Sequence, residues 1–278
     1  MDTTSLSFQT HNIEIINPEI VRGHIHFSLF DFDGTISLIR EGWQDIMIPM
    51  MVELLAQTPN REDLNILESV VSEFVTRLTG KQTIYQMIQL CEEIKKRGGD
   101  PKEPGFYKGI YINQLNGHIK NRISSLKSGS IVPEDMMVHG ALDWLKILKS
   151  RGVNCYLASG TDERYVSEEV ELLGLESFFT SIHGAKEDYI NFSKKIVIDQ
   201  IITKYNLQGP EFAIFGDGFV EIEDAKAVGG IAVGLATNEK ERNGVDEWKR
   251  SRLISAGADL IISDFRCSRE LESYLFNC

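Results

Sequence analysis

Two spacings of apolar residues divide this chain. From residue 43 to about 130 they recur every three or four positions. From 131 onward they form short runs separated by amphipathic stretches. In the first block, Trp43 to Gln57 places Ile46, Met50 and Leu54 on one side, and Leu64 to Leu78 does the same with Leu67, Val71, Phe74 and Leu78. Thr83 to Lys96 predicts a third helix, Gly98-Gly99-Asp100-Pro101 stops it, and Tyr107 to Leu126 reads as a fourth. In the second block, helices are expected over Asp143 to Ser150, Glu163 to Leu173 (closed by Gly174), Ser193 to Tyr205 (capped by Ser193), Glu221 to Val228 and around Trp248. Strands are expected at Val153 to Ala158, Phe178 to Ile182, Phe212 to Phe215, Ile231 to Leu235 and Leu260 to Ile262. Near the start, Ile13 to Ile16 reads as an added edge strand, and Ile25 to Phe30 as the main strand.

Apolar strands alternating with amphipathic helices imply an α/β fold, a doubly wound parallel sheet covered on both faces. The 43–130 block is then an inserted helical domain, and residues 1–42 with 131–278 form the α/β core. No internal repeat or low-complexity stretch interrupts this plan.

In such sheets, ligands bind beyond the carboxyl ends of the strands. After Phe30 come Asp31-Phe32-Asp33-Gly34-Thr35. Ala158 is followed by Ser159-Gly160-Thr161, and Phe215 by Gly216-Asp217-Gly218, with Glu221 four residues beyond Asp217. Ser193-Lys194-Lys195 opens a helix. Carboxylates that converge at a strand end are costly to bury without a metal ion, a shared proton or a reacting group between them. The pair Asp31/Asp33 suits nucleophilic attack by one, proton transfer by the other, and Mg2+ to hold the negative charges together. Alone, these five residues also fit an ordinary strand-end turn, and Ser159 also fits a helix cap. A lysine at a helix amino end is disfavoured by the helix dipole, so Lys194 or Lys195 there suggests an external anion.

Taken together, DFDGT at 31–35, ASGT at 158–161, the Lys194/Lys195 pair and GDGFVE at 216–221 resemble the haloacid dehalogenase-like hydrolases. Within them the chain resembles the capped phosphatases of subclass I, of the phosphoglycolate phosphatase and beta-phosphoglucomutase type. The resemblance frames the chain outside 1–24 and the insertion. It implies that Asp31 is the nucleophile, forming an aspartyl-phosphate, and that Asp33 is the general acid/base. Dehalogenases of the superfamily lack that second Asp, so phosphoryl transfer is implied. Ser159 and Gly160 would bind the phosphoryl oxygens, and Lys194 would offset their charge, with Lys195 as the rival assignment. Mg2+ would be held by Asp31, Asp33, Asp217 and Glu221, together with the Phe32 carbonyl. Glu221 stands where relatives usually carry Asp, so it either ligates directly or acts through a water or Lys194. His183 has no role in this scheme and is expected to be a hydrogen-bonded structural residue.

The insertion lies between Asp33 and Ser159, the layout of members with a helical cap. That cap is expected to exclude water and contact a small phosphoester, a sugar phosphate or phosphoglycolate. Arg40, Glu41 and Trp43 fall near the expected hinge. Gly80-Lys81-Gln82-Thr83 reads as a specificity loop in which Lys81 meets an anionic group. Two alternatives share these residues: a phosphomutase, and a non-catalytic ligand-binding protein of the same fold.

Composition narrows the partners. The chain of 278 residues is 42% hydrophobic and 25% charged, as in a globular protein. Its net charge of -12 argues against nucleic acid and anionic membranes, while a local Mg2+ leaves an anionic small molecule open. Cys91, Cys155, Cys267 and Cys278 are far apart and fit no zinc spacing, and Cys155 reads as a core filler. With a polar N-terminus and no bilayer-length apolar run, a reducing, cytoplasmic setting is expected.

Overall fold

The computed structural model describes residues 13–186 and 193–277. The chain enters through β1 (Ile13–Ile15) and β2 (Phe27–Phe30), then leaves the sheet for four helices, α1 (Gln44–Ala56), α2 (Leu64–Arg77), α3 (Thr83–Lys96) and α4 (Pro104–Ser128). It returns through α5 (Ala141–Ser150), β3 (Asn154–Asp162), α6 (Glu163–Leu172), β4 (Phe179–Ala185) and α7 (Lys194–Tyr205). The remainder is β5 (Phe212–Gly216), α8 (Phe219–Ala227), β6 (Ile231–Leu235), α9 (Glu247–Ser255), β7 (Leu260–Ile262) and α10 (Ser268–Phe276).

The strands form one sheet in the order β1-β7-β6-β5-β2-β3-β4, with every pairing parallel except β1 against β7. The Ile13 stretch is thus an edge strand, as its short apolar run predicts. β2 lies between β3 and β5, with Phe30 opposite Leu157 on one side and Phe215 on the other. The chain winds from β2 to β3 and β4 in one direction, then crosses back to β5. The switch point therefore falls beside β2, where a doubly wound sheet opens a crevice.

Alternation along the strands supplies both faces of the core. Phe30 and Phe215 point to one side, where their rings stack at 4.7 Å and Trp144 of α5 packs edge-on against Phe215 at 5.7 Å. Leu29 and Ile214 point to the other, against Ile198 of α7 and Ile222 of α8. All of these side chains are fully buried or nearly so.

Two differences from the sequence reading stand out, the first of them at the site. The strand expected to end at Ala158 runs on to Asp162, so Gly160 lies in β3, while the helix begins at Glu163 as expected. The pairing of β3 with β4 shifts register between Ala158 and Asp162, which lets the extra residues stay extended. The second difference is α10, a nine-residue helix buried only through Ser268, Leu271 and Leu275. Its apolar signal was too sparse to read.

Helices α1–α4 pack together, and α4 also meets α6. Arg122 of α4 pins the segment leaving the sheet by donating to the carbonyls of Ile39 (2.8 Å) and Glu41 (2.7 Å) and to the Glu41 carboxylate (2.6 Å). The turn between α2 and α3 reaches the sheet edge. A Cβ on Gly160 would lie 2.7 Å from the Lys81 carbonyl oxygen, and one on Gly218 would lie 3.2 Å from the Gly80 Cα. Glycine at these positions is what lets the turn seat against both strand ends.

Candidate active site

A cavity opens at the carboxyl ends of β2, β3 and β5. Asp31, Asp33, Ser159, Gly160, Lys194 and Asp217 line its floor, and Lys81 of the α2–α3 turn lines it as well. These are residues singled out in the sequence, brought together from five separate segments. Glu221 does not line the cavity; it is wholly buried behind Lys194.

Asp31 follows β2 directly, and its N–H continues the ladder to the Phe215 carbonyl at 2.9 Å. The backbone is thereby fixed and the side chain projects into the cavity. Lys194 donates to Asp31 Oδ1 at 2.7 Å and also binds Glu221 Oε1. Burial, together with the charges of Glu221 and Asp217, pushes the Asp31 carboxyl well above the usual carboxylate range, against the pull of Lys194. The two carboxylates hold the Lys194 ammonium charged, well above the usual lysine range, despite its burial. Lys195 points away: it is half exposed and paired loosely with Asp199 at 3.5 Å. Ser193 caps α7 by accepting from the Ile196 N–H at 3.2 Å, and so aims the next residue, Lys194, inward.

Asp33 is held from β3. The Thr161 hydroxyl donates to Asp33 Oδ2 at 2.8 Å, and the Ser159 hydroxyl approaches the same oxygen at 3.4 Å. The Thr161 N–H in turn donates to Ser159 Oγ at 3.0 Å. Asp33 Oδ1 is buried with no hydrogen-bond partner, its nearest cation being Arg40 Nε at 3.9 Å. The Phe32 carbonyl, expected to face a metal, is instead taken by the N–H groups of Ile36 (2.8 Å) and Ser37 (2.9 Å), with Thr35 at 3.3 Å. The tight turn after Gly34 needs that acceptor, so the carbonyl is withdrawn from the cavity.

Asp217 leads into a cluster the sequence reading missed. Lys249, in the first turn of α9, donates to Asp217 Oδ2 at 2.7 Å and to Glu239 Oε1 at 2.6 Å. Both acids hold the Lys249 ammonium well above its ordinary range against burial. The signal was available: like Lys194, Lys249 is a lysine at a helix amino end, where the dipole opposes it. A Cβ on Gly34 would collide with the Asp217 carboxylate, and Gly34 has φ +77°, so glycine is required there twice over.

Further from the floor, Arg40 is buried and donates to Glu169 Oε1 through Nε (2.9 Å) and Nη2 (2.6 Å). Burial raises Glu169 to about 7, opposed by Arg40. Lys108 of α4 is paired with Asp162 at the end of β3. Of this group the sequence reading singled out only Arg40. His183 bonds the Ser181 hydroxyl at 2.7 Å and lies outside the cavity, in keeping with a structural role.

The donor set suits a hard cation. Four carboxylates (Asp31 and Glu221, Asp217 and Glu239) share two ammonium groups, and a buried Asp33 oxygen has no donor. Oxygen ligands in excess of positive charge match Mg2+. Among the described residues, however, no three His, Cys, Asp or Glu side chains stand close enough to enclose a cation. Asp31 and Asp217 are drawn onto their lysines, and Glu221 lies behind Lys194.

This geometry places an acid-rich, lysine-balanced crevice at the switch point of a mostly parallel α/β sheet. Residues 28–229 match the family of haloacid dehalogenase-like hydrolases, and the chain belongs to that family. Members generally use a divalent metal. Among solved structures, it is similar to a predicted phosphoglycolate phosphatase from Haemophilus somnus 129PT (15% identity, TM-score 0.57, 89% of this chain and 98% of that one). It also resembles a beta-phosphoglucomutase from Clostridium difficile (15% identity, TM-score 0.55, 83% and 98%). A third is a HAD family hydrolase from Deinococcus radiodurans R1, solved with bound phosphate and sodium (15% identity, TM-score 0.52, 91% and 96%). At such identities the likeness is one of fold. No match was found among curated proteins. No helix among the described residues is long and apolar enough to cross a membrane.

Proposed function

We propose that this protein is a Mg2+-dependent phosphatase of a small phosphorylated metabolite, working through an aspartyl-phosphate on Asp31. The observation that carries this reading is the buried Asp31 carboxylate on the cavity floor, held at 2.7 Å by Lys194, with Asp33 lining the same cavity.

An Asp31 oxygen attacks phosphorus as the bond to the leaving oxygen breaks, and Asp33 delivers its proton to that oxygen. Water then attacks the phosphorus of the aspartyl-phosphate and gives a proton to Asp33. The Asp31–phosphorus bond breaks, inorganic phosphate leaves, and both carboxyl groups return to their starting state. Thr161 orients Asp33 throughout. Lys194 balances the negative charge of Asp31 and the phosphoryl oxygens, and Glu221 holds Lys194 in place. Ser159 and Gly160 bind the phosphoryl oxygens from the end of β3. Asp31 and Asp217 would hold the Mg2+, which when bound supplies positive charge against that of the phosphoryl group.

Residues 43–130 serve as a cap over a core of 1–42 and 131–278. Support for this comes from the seating of the α2–α3 turn against Gly160 and Gly218, and from the Lys108–Asp162 pair across the seam. A closed cap excludes water from the first step.

The test is phosphate release from a panel of phosphomonoesters with Mg2+ or EDTA, for wild type and Asp31→Asn. Mg2+-dependent release abolished by the substitution is expected. Release that survives it overturns the assignment of the nucleophile, and absence of release from every ester, in folded protein, overturns the phosphatase reading.

A further inference from the structure

The cavity has a second wall, and it is chemically unlike the floor. Trp43 and Met47 face it from the start of α1, Tyr111, Ile112 and Leu115 from α4, and Tyr165 from α6. On α4 the cavity-lining positions are 108, 111, 112 and 115, which is one stripe of a helix. Lys108 stands at its end by the core, and the rest of the stripe is aromatic and aliphatic.

The cations near this wall are already bound. Arg40 is buried, bonded to Glu169, and lies over the Tyr165 ring at 5.2 Å. Lys108 is paired with Asp162. A second acidic group on a substrate would add negative charge beside a cation that a carboxylate already neutralises, and Glu169 or Asp162 would repel it. Lys81 is exposed, where solvent and salt weaken its pull on an anion. Sugar hydroxyls set against Met47, Ile112 and Leu115 would lose their water partners without replacement. Rings and methyl groups suffer no such loss there. Thr83 and Gln86 of α3 also line the cavity, enough to meet one or two polar substituents.

From this wall we infer that the preferred substrate carries its phosphate on an uncharged, flat and largely apolar body: an aryl or heteroaryl alcohol, not a polyhydroxylated sugar or a second acid. The inference rests on the phosphatase reading and narrows it, away from both sugar phosphates and phosphoglycolate. The phosphate goes to the floor beside Lys194, and the ring lies between Tyr111, Tyr165 and Trp43.

The experiment uses three probes with alkyl-type leaving groups of similar intrinsic reactivity: benzyl phosphate, glucose 6-phosphate and 2-phosphoglycolate. Binding is measured calorimetrically on the full-length Asp31→Asn protein in Mg2+, and turnover on wild type. Benzyl phosphate is expected to bind at least about tenfold more tightly than either competitor, the scale of discrimination a hydrophobic pocket gives for even a small apolar group. Ile112 is only partly buried, so Ile112→Asn is compatible with folding. It is expected to erase the preference while leaving the affinity for inorganic phosphate unchanged. Equal or tighter binding of glucose 6-phosphate or phosphoglycolate overturns the inference, and the phosphatase reading then stands if wild type hydrolyses that ester. If wild type hydrolyses none of the three while Asp31→Asn still prefers benzyl phosphate, the reaction is wrong and the shape of the site is right.

Discussion

The floor and the far wall of one cavity follow opposite rules. On the floor, acids outnumber cations, and Asp31, Asp33 and Asp217 face the space where phosphate chemistry would occur. On the wall, Arg40 and Lys108 each have their own carboxylate, and rings and aliphatic chains share the rest with a few uncharged polar groups such as Thr83 and Gln86. The floor is electrostatically unfinished and calls for a charged visitor, whereas the wall is neutral and discriminates by shape. Reaction and selectivity are thus assigned to different layers, the sheet edge and the helical insertion.

The comparison is broken most forcefully at the floor. Asp31→Asn is expected to lower phosphate release by at least about a thousandfold, measured with any hydrolysed ester, since removal of a nucleophile costs on that scale. Retained turnover would mean that the floor works otherwise. The two adjacent lysines come next. Lys194→Met should lose about a hundredfold in kcat, comparable to removal of one charge-stabilising donor, while Lys195→Met should stay within about twofold. Equal effects would erase the distinction drawn from their burial.

At the wall, Glu169 offers a test by pH. Its carboxyl is raised from 4.5 to about 7 in the folded protein, chiefly by burial. The native state therefore binds the proton more tightly than the unfolded chain. This contribution to stability is complete below pH 4.5 and is lost as pH rises through about 7. Denaturant unfolding should show a decline on the order of 3 kcal/mol from this group across that interval. Glu169→Gln should flatten that slope, and an unchanged slope would show that Glu169 does not cause it. The smallest effect is expected at the seam. Gly160→Ala would press on the Lys81 carbonyl, and the α2–α3 turn should lift, raising KM by about tenfold with a smaller change in kcat. An unchanged KM would detach the turn from substrate binding.

The floor was largely legible in the sequence because strand ends announce themselves. An apolar run that stops at Phe30 and is followed by two acids and a glycine leaves few places for those acids to go. Ser193 as a cap likewise fixed where α7 begins, although spacing alone left Lys194 and Lys195 level. Only the third dimension, with Asp31 and Glu221 on one side and solvent on the other, separates them. The Phe32 carbonyl was misread because its direction depends on how tightly the chain turns after Gly34, a matter of backbone angles. The wall was scarcely legible. Tyr111, Tyr165 and Ile112 look like any amphipathic helix face, and which apolar residue lines a cavity is settled by how helices pack. Glu169 and Glu239 carry no local signal, since each matters through a cation far away in the chain. Lys249 did carry one, in its position at the start of α9.

The place of β2 in the sheet also has a consequence for the order in which the protein comes into being. The strand before Asp31 is made well before its two neighbours, residues 154–157 and 212–215. A ribosome-bound chain that has not yet reached residue 212 has one flank of that strand open, and it lacks Asp217 and Lys249. The helices over 44–128 have their partners close by in the sequence and do not wait. During synthesis the α1–α4 part of the wall can therefore take shape before the floor, which waits for Asp217 and Lys249.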